Sequence, residues 1–129
     1  IGGPLPHVMA AKGVAFTEAN LPEFKEYAHR IVENAQALAE ACGDEGMDVV
    51  SGGTENHLML IDVRSFGITG RQAAGAMMAC RVTLNKNTIP FDPNGAISTS
   101  GLRIGTPAIT TLGMSPEDKI GRASCRERV

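Results

Sequence analysis

The strongest constraint on the fold is a run of apolar residues at helical spacing: Phe24, Tyr27, Ala28, Ile31, Val32, Ala35, Leu38, Ala39 and Cys42. Steps of three and four residues share a side only on an α-helix. Lys25, Glu26, Arg30, Glu33 and Glu40 fall on the other side. Asn20-Leu21-Pro22-Glu23 supplies start signals: Asn as a cap, Pro in the first turn, and Glu three residues on as in a capping box. Gly43 and Gly46 bracket the end. A helix of about five turns with a single apolar stripe suits a connector between two parts of a larger protein.

Around this helix the chain alternates short elements. Gly2-Gly3-Pro4-Leu5-Pro6 reads as a loop, and His7 to Ala19, rich in small and apolar residues, as a buried helix. A Gly-Gly loop entering a helix suits an anion, because free N–H groups and the helix dipole both favour negative charge, although most such loops are plain turns. Further on, 47–50 and 57–63 read as strands separated by the turn Ser51-Gly52-Gly53-Thr54. Thr69-Gly70-Arg71-Gln72 is a second capping box, opening a helix with Ala73, Ala76, Met77 and Cys80 on its apolar face. A brief strand is predicted at 82–84 and another at 101–105. Between them Pro90 and Pro93 forbid regular structure over 87–98. Thr106-Pro107 and Ser115-Pro116 each read as a helix start. Strands that mostly neighbour each other, with helices laid on one face, give a small α+β layer.

Composition narrows the function. Residues 1–118 hold 13 acidic and 8 basic side chains, a net of −5, while 119–129 hold four basic and one acidic, a net of +3. The acidic body has no basic stripe, and at 4% aromatics with no Trp there is no stacking platform, so nucleic acid is not the expected partner. No apolar run approaches the ~20 residues of a membrane span. Cys42, Cys80 and Cys125 are too widely spaced for a zinc site or a disulfide framework, and we expect a reduced, cytoplasmic setting and no metal. Ile1-Gly2-Gly3-Pro4 is neither a start nor an export segment, which suggests a piece of a longer chain.

Arg103 is the leading candidate for chemistry. It sits in a short apolar run between Gly101 and Gly105, and small neighbours let a ligand approach a strand closely. A guanidinium is a flat fork of donors that grips a carboxylate with two parallel hydrogen bonds, but an isolated Arg also serves in surface ion pairs. Ser51-Gly52-Gly53 lacks the residues of a P-loop and reads as a turn. His57 has no second ligand at metal spacing and reads as a structural histidine at a strand end.

Four segments in order carry a resemblance: G-G-P-L-P-H at 2–7, S-G-G-T-E-N-H at 51–57, N-K-N-T-I-P at 85–90 and T-S-G-L-R-I-G-T-P-A at 99–108. Together they resemble serine hydroxymethyltransferase over essentially all of 1–118. The resemblance implies the C-terminal portion of a fold-type I pyridoxal-phosphate enzyme. Residues 1–20 would end the large cofactor-binding domain, 21–46 form the connecting helix, and 47–118 belong to the small α+β domain. It implies transfer of a one-carbon unit from serine to tetrahydrofolate, giving glycine and 5,10-methylenetetrahydrofolate, in a homodimer or tetramer. By the same resemblance Arg103 binds the substrate α-carboxylate, and Gly2 and Gly3 reach the pyridoxal phosphate of the neighbouring subunit. Asn87 contacts the pterin of tetrahydrofolate, offering a donor and an acceptor side by side. Gly95, Ala96 and Ile97 align with a folate-contacting segment that in the family often carries a proline and a bulky residue. Here that segment departs from the pattern, which favours backbone contacts over side-chain ones.

The family's imine-forming lysine lies in a Thr-rich segment, and Lys12, Lys25 and Lys86 sit in no such context. No catalytic residue is therefore expected in this chain, which alone should be inactive. The last stretch, 119–129, back-translates codon by codon to a common short-read sequencing adapter, and we expect it to be non-native. Two other readings remain: the small domain of a different pyridoxal-phosphate transferase, against which the N-K-N-T-I-P loop argues, and a non-enzymatic amino-acid-binding α+β domain.

Overall fold

The computed structural model of the chain describes residues 2–118. In order it forms α1 (Pro6–Ala19), α2 (Pro22–Asp44), β1 (Asp48–Val49), β2 (Leu58–Asp62), α3 (Gly70–Ala79), β3 (Asn85–Asn87), β4 (Gly101–Gly105) and α4 (Pro107–Thr111). Short 3-10 turns occupy Val50–Gly52, Arg64–Phe66 and Pro116–Asp118. The strands make one antiparallel sheet in the order β1-β2-β4-β3. This is the α+β layer the sequence predicts.

Register decides what each face carries. Met59 lies opposite Ile104 and Ile61 opposite Leu102. Cross-strand partners share a face, so these four residues line one side of the sheet. Met59, Ile61 and Leu102 are buried there with Leu38, Ala39 and Cys42 of α2 and Ala73 of α3. Each large apolar side chain so buried contributes about 1.5–3 kcal/mol. Both helices thus cover the same face, although a cavity of about 1060 Å³ remains along it, walled chiefly by apolar side chains such as Leu38, Ile61, Met77 and Leu102.

A polar spine ties α2 to the end of β4. The fully buried Thr106 hydroxyl donates to the Ile31 carbonyl at 2.7 Å, and the Thr106 N–H donates to the His57 carbonyl at 3.0 Å. One turn on, Thr110 donates to the Thr106 carbonyl, and buried Asn34 donates to the Thr110 hydroxyl at 2.8 Å and the Met114 carbonyl at 2.9 Å.

Several expectations change in three dimensions. Residues 6–19 are helical but none is buried, and Val8, Met9, Val14 and Phe16 are exposed, because no layer among the described residues lies over α1. The Asn20–Glu23 capping box does not form: Asn20 is spent as the C-cap of α1, and Leu21 becomes the N-cap of α2 with no side-chain bond. Burial on α2 is confined to its C-terminal half, from Asn34 to Cys42, while Phe24 stays exposed and pairs with the ring of Tyr27. The strand expected at 82–84 starts instead at Asn85. Arg81 takes φ +63 and the Val82 N–H closes the end of α3 on the Met77 carbonyl, so the chain reaches β4 only later. Thr106 precedes α4 without capping it, since its hydroxyl is committed to the spine. The strand over 47–50 shrinks to Asp48–Val49, and 116–118 is a 3-10 turn. By contrast the Thr69–Gln72 capping box is complete. The reading of 119–129 as non-native concerns residues outside those described.

Among the described residues no helix is long and apolar enough to cross a membrane. Replacing Thr106 by Val keeps the shape but removes the hydroxyl that ties the end of β4 to the Ile31 carbonyl, which keeps only its helical partner. We expect a loss of about 0.5–1.5 kcal/mol, measured as a lower urea midpoint with unchanged slope.

Candidate functional site

The open face of the sheet carries the residues of interest. Arg103 lies opposite Leu60 on β2 and Asn85 on β3, and Asn87 lies opposite Gly101. Alternation along β4 puts Gly101, Arg103 and Gly105 on one side, so Arg103 projects with a glycine before and after it on its own face. Asn87 is the diagonal neighbour of Arg103 on that face, at a backbone distance of about 7–8 Å.

Arg103 is exposed, and its side chain has no hydrogen bond or ion pair with any other described residue. The carboxylate placed to pair with it is Asp62, opposite Gly101 on the same face. That carboxylate is already taken: Arg64 donates to it from Nε at 2.9 Å and Nη2 at 2.7 Å, and from its backbone N–H at 2.9 Å. The Arg64 side chain holds the Asp62 carboxyl below the usual range in spite of its burial. Among the described residues Arg103 forms no ion pair.

The two glycines differ. A Cβ on Gly101 would stand 2.5 Å from Ile89 Cγ2 and 2.9 Å from the Asn87 carbonyl oxygen, so the loop after β3 folds tightly over this residue. A Cβ on Gly105 would meet nothing nearer than 3.4 Å. Gly101→Ala should therefore cost about 1–3 kcal/mol by overpacking, while Gly105→Ala changes the thermal midpoint little. Parallel melting curves of the two variants check this.

The loop from Thr88 to Ser100 is organised by Asp92, which the sequence reading passed over. Its carboxylate accepts from the Ser100 hydroxyl at 2.6 Å and from the backbone N–H groups of Asn94 (2.8 Å), Ser100 (2.9 Å) and Ile89 (3.2 Å). Desolvation raises the Asp92 pKa, but these donors outweigh it and leave it at about 2, below the ordinary 3.8. The available signal was Asp-Pro-Asn-Gly, a sequence whose carboxylate caps the N–H two residues on. Because the folded value is depressed, the stabilisation is complete above about 3.8 and is lost as pH falls towards about 2. Asp92→Asn should flatten that acid limb, read from the pH dependence of amide exchange in 88–100.

Asn87 donates its amide to the Thr88 carbonyl at 2.6 Å, and its own Oδ1 has no partner among the described residues. Gly95, Ala96 and Ile97 form the exposed tip of the loop. Gly2 and Gly3 are exposed on coil before α1, with nothing within 4 Å of a Cβ built on either. His57 is exposed before β2 and contributes only its carbonyl to the spine. Among the described residues no group of His, Cys, Asp and Glu is disposed to hold a metal ion.

The family model for serine hydroxymethyltransferase matches residues 1–123. The chain belongs to this family. That match runs into the first residues of the stretch expected to be non-native. The serine hydroxymethyltransferase of Treponema pallidum (strain Nichols) is 65% identical over 118 residues, covering 92% of this chain and 21% of that protein. That of Salinispora tropica is 58% identical over 114 residues, covering 88% and 24%. The chain thus spans between a fifth and a quarter of the length of these relatives. Family membership also disfavours the non-enzymatic binding domain.

Proposed function

We propose that this chain supplies the substrate-carboxylate clamp and part of the co-substrate site of a serine hydroxymethyltransferase. In this reading residues 1–20 end the large domain, 21–46 connect, and 47–118 belong to the small domain. The enzyme works in the cytoplasm as a homodimer or tetramer on serine, glycine and tetrahydrofolate. The observation that carries the reading is the unpaired guanidinium of Arg103 on the open face, diagonal to Asn87, with the nearby carboxylate of Asp62 already committed to Arg64.

Arg103 holds the amino-acid α-carboxylate with two parallel charge-assisted hydrogen bonds. Fixing that carboxylate fixes which bond at Cα is aligned for cleavage, which is catalysis by positioning. Asn87 presents an amide carbonyl, with its second N–H, to the edge of the pterin. Gly2 and Gly3 suit a phosphate: the space around them is open, no side chain bars approach, and they precede the N-terminus of α1. Pyridoxal phosphate, when bound, supplies an electron sink for breaking the serine Cα–Cβ bond. No residue of this chain is assigned a covalent role, and Lys12, Lys25 and Lys86 are all exposed.

The test is Arg103→Ala in the protein at the length of its relatives. We expect kcat/KM for serine to fall at least ~100-fold, the equivalent of about 3 kcal/mol, with Arg103→Lys recovering only part. A serine kcat/KM within about threefold of the parent would reject the clamp.

A further inference from the structure

The tip of the loop, Gly95-Ala96-Ile97, has no proline to stiffen it and no side chain anchored in the interior; Ile97 is 74% exposed. Its order must come from elsewhere, and a census of the backbone shows where. Five consecutive carbonyls, from Ala96 to Ser100, all meet donors of the protein. Arg71 N–H donates to Ser98, Gly70 N–H to Thr99 and Val63 N–H to Ser100. The first two are groups that the start of α3 would otherwise leave unpaired. The remaining two carbonyls meet one side chain: Lys86 Nζ donates to the Ile97 carbonyl at 2.7 Å and the Ala96 carbonyl at 3.2 Å.

The N–H groups are disposed differently. Those of Ser98 and Thr99 turn back to the Gly95 carbonyl, and that of Ser100 goes to Asp92. Those of Gly95, Ala96 and Ile97 have no acceptor among the described residues. A trans peptide points its N–H opposite its carbonyl. With the Ala96 carbonyl held on Lys86, the Ile97 N–H faces away from β3. With the Gly95 carbonyl held by Ser98 and Thr99, the Ala96 N–H faces away from the loop interior.

We propose that Lys86 is a positioning residue for the co-substrate site. Its ammonium draws two carbonyls towards β3, so that the tip offers only N–H donors to a carbonyl or carboxylate oxygen of the ligand. Lys86 lies one residue before Asn87 on the same short strand and on the other face of the sheet, opposite Leu102, so this edge strand contacts the ligand through Asn87 and holds the loop from its other side through Lys86. The proposal rests on the reading of Asn87 and 95–97 as parts of the tetrahydrofolate site. It also accounts for how this chain dispenses with the family's proline at the tip.

The experiment uses Lys86→Met and Lys86→Arg in the cofactor-loaded enzyme at the length of its relatives, with cofactor absorbance as the check on folding. For Lys86→Met we expect amide exchange at Ser98 and Thr99, whose N–H groups hold the Gly95 carbonyl, to quicken about tenfold and KM for tetrahydrofolate to rise about tenfold, with kcat and the serine KM within about twofold. Lys86→Arg, which can still bridge two carbonyls, should restore both. Unchanged exchange in Lys86→Met overturns the proposal, and a raised KM alongside it would mean that Lys86 meets the ligand directly. Faster exchange with an unchanged tetrahydrofolate KM overturns the co-substrate assignment itself, and the positioning role with it.

Discussion

The antiparallel register of β4 between β2 and β3 is the constraint on which the rest depends. It puts Met59, Ile61, Leu102 and Ile104 together under the helices and leaves Arg103, Gly101, Gly105 and Asn87 on the open side. A slip of one residue would turn the guanidinium into the apolar layer and Leu102 out to solvent, so the burial of the core fixes the exposure of Arg103. The same register sets Asp62 beside Arg103, and only the local Arg64–Asp62 pair keeps that carboxylate from closing on it.

A second layer of order comes from hydrogen bonds that bind a loop as firmly as a sheet binds a strand. Asp92 gathers Ile89, Asn94 and Ser100 around one carboxylate, and the carbonyls of Ser98 and Thr99 cap the start of α3. Thr99 holds a left-handed conformation, φ +56, and its buried hydroxyl has no partner among the described residues. Such a conformation is costly for a β-branched residue, and the bonds on both sides of it are what hold it. The loop is thus a defined shape, built from backbone groups.

The helical layer is covered unevenly among the described residues. The C-terminal half of α2 is buried against the sheet and locked through Asn34 and Thr106, while α1 and the first turns of α2 expose Val14, Phe16, Leu21 and Phe24. The two relatives are about four times as long as this chain.

Much of this was legible in the sequence. Period-3.6 spacing located α2, the Thr69–Gln72 box located the start of α3, and paired prolines located the loop, because each signal acts through neighbours a few residues away. The ordered motifs gave the family, and glycines around an arginine marked a place where a carboxylate fits. Tertiary structure decided the rest: that Asn20 caps the wrong helix, that β3 begins at Asn85, that Asp62 is already paired, and that Lys86 holds the carbonyls of a loop ten residues away. Those outcomes turn on which donors and acceptors meet across the fold. A local pattern fixes what a group is able to bond, and only the packed chain fixes what stands within three ångströms of it.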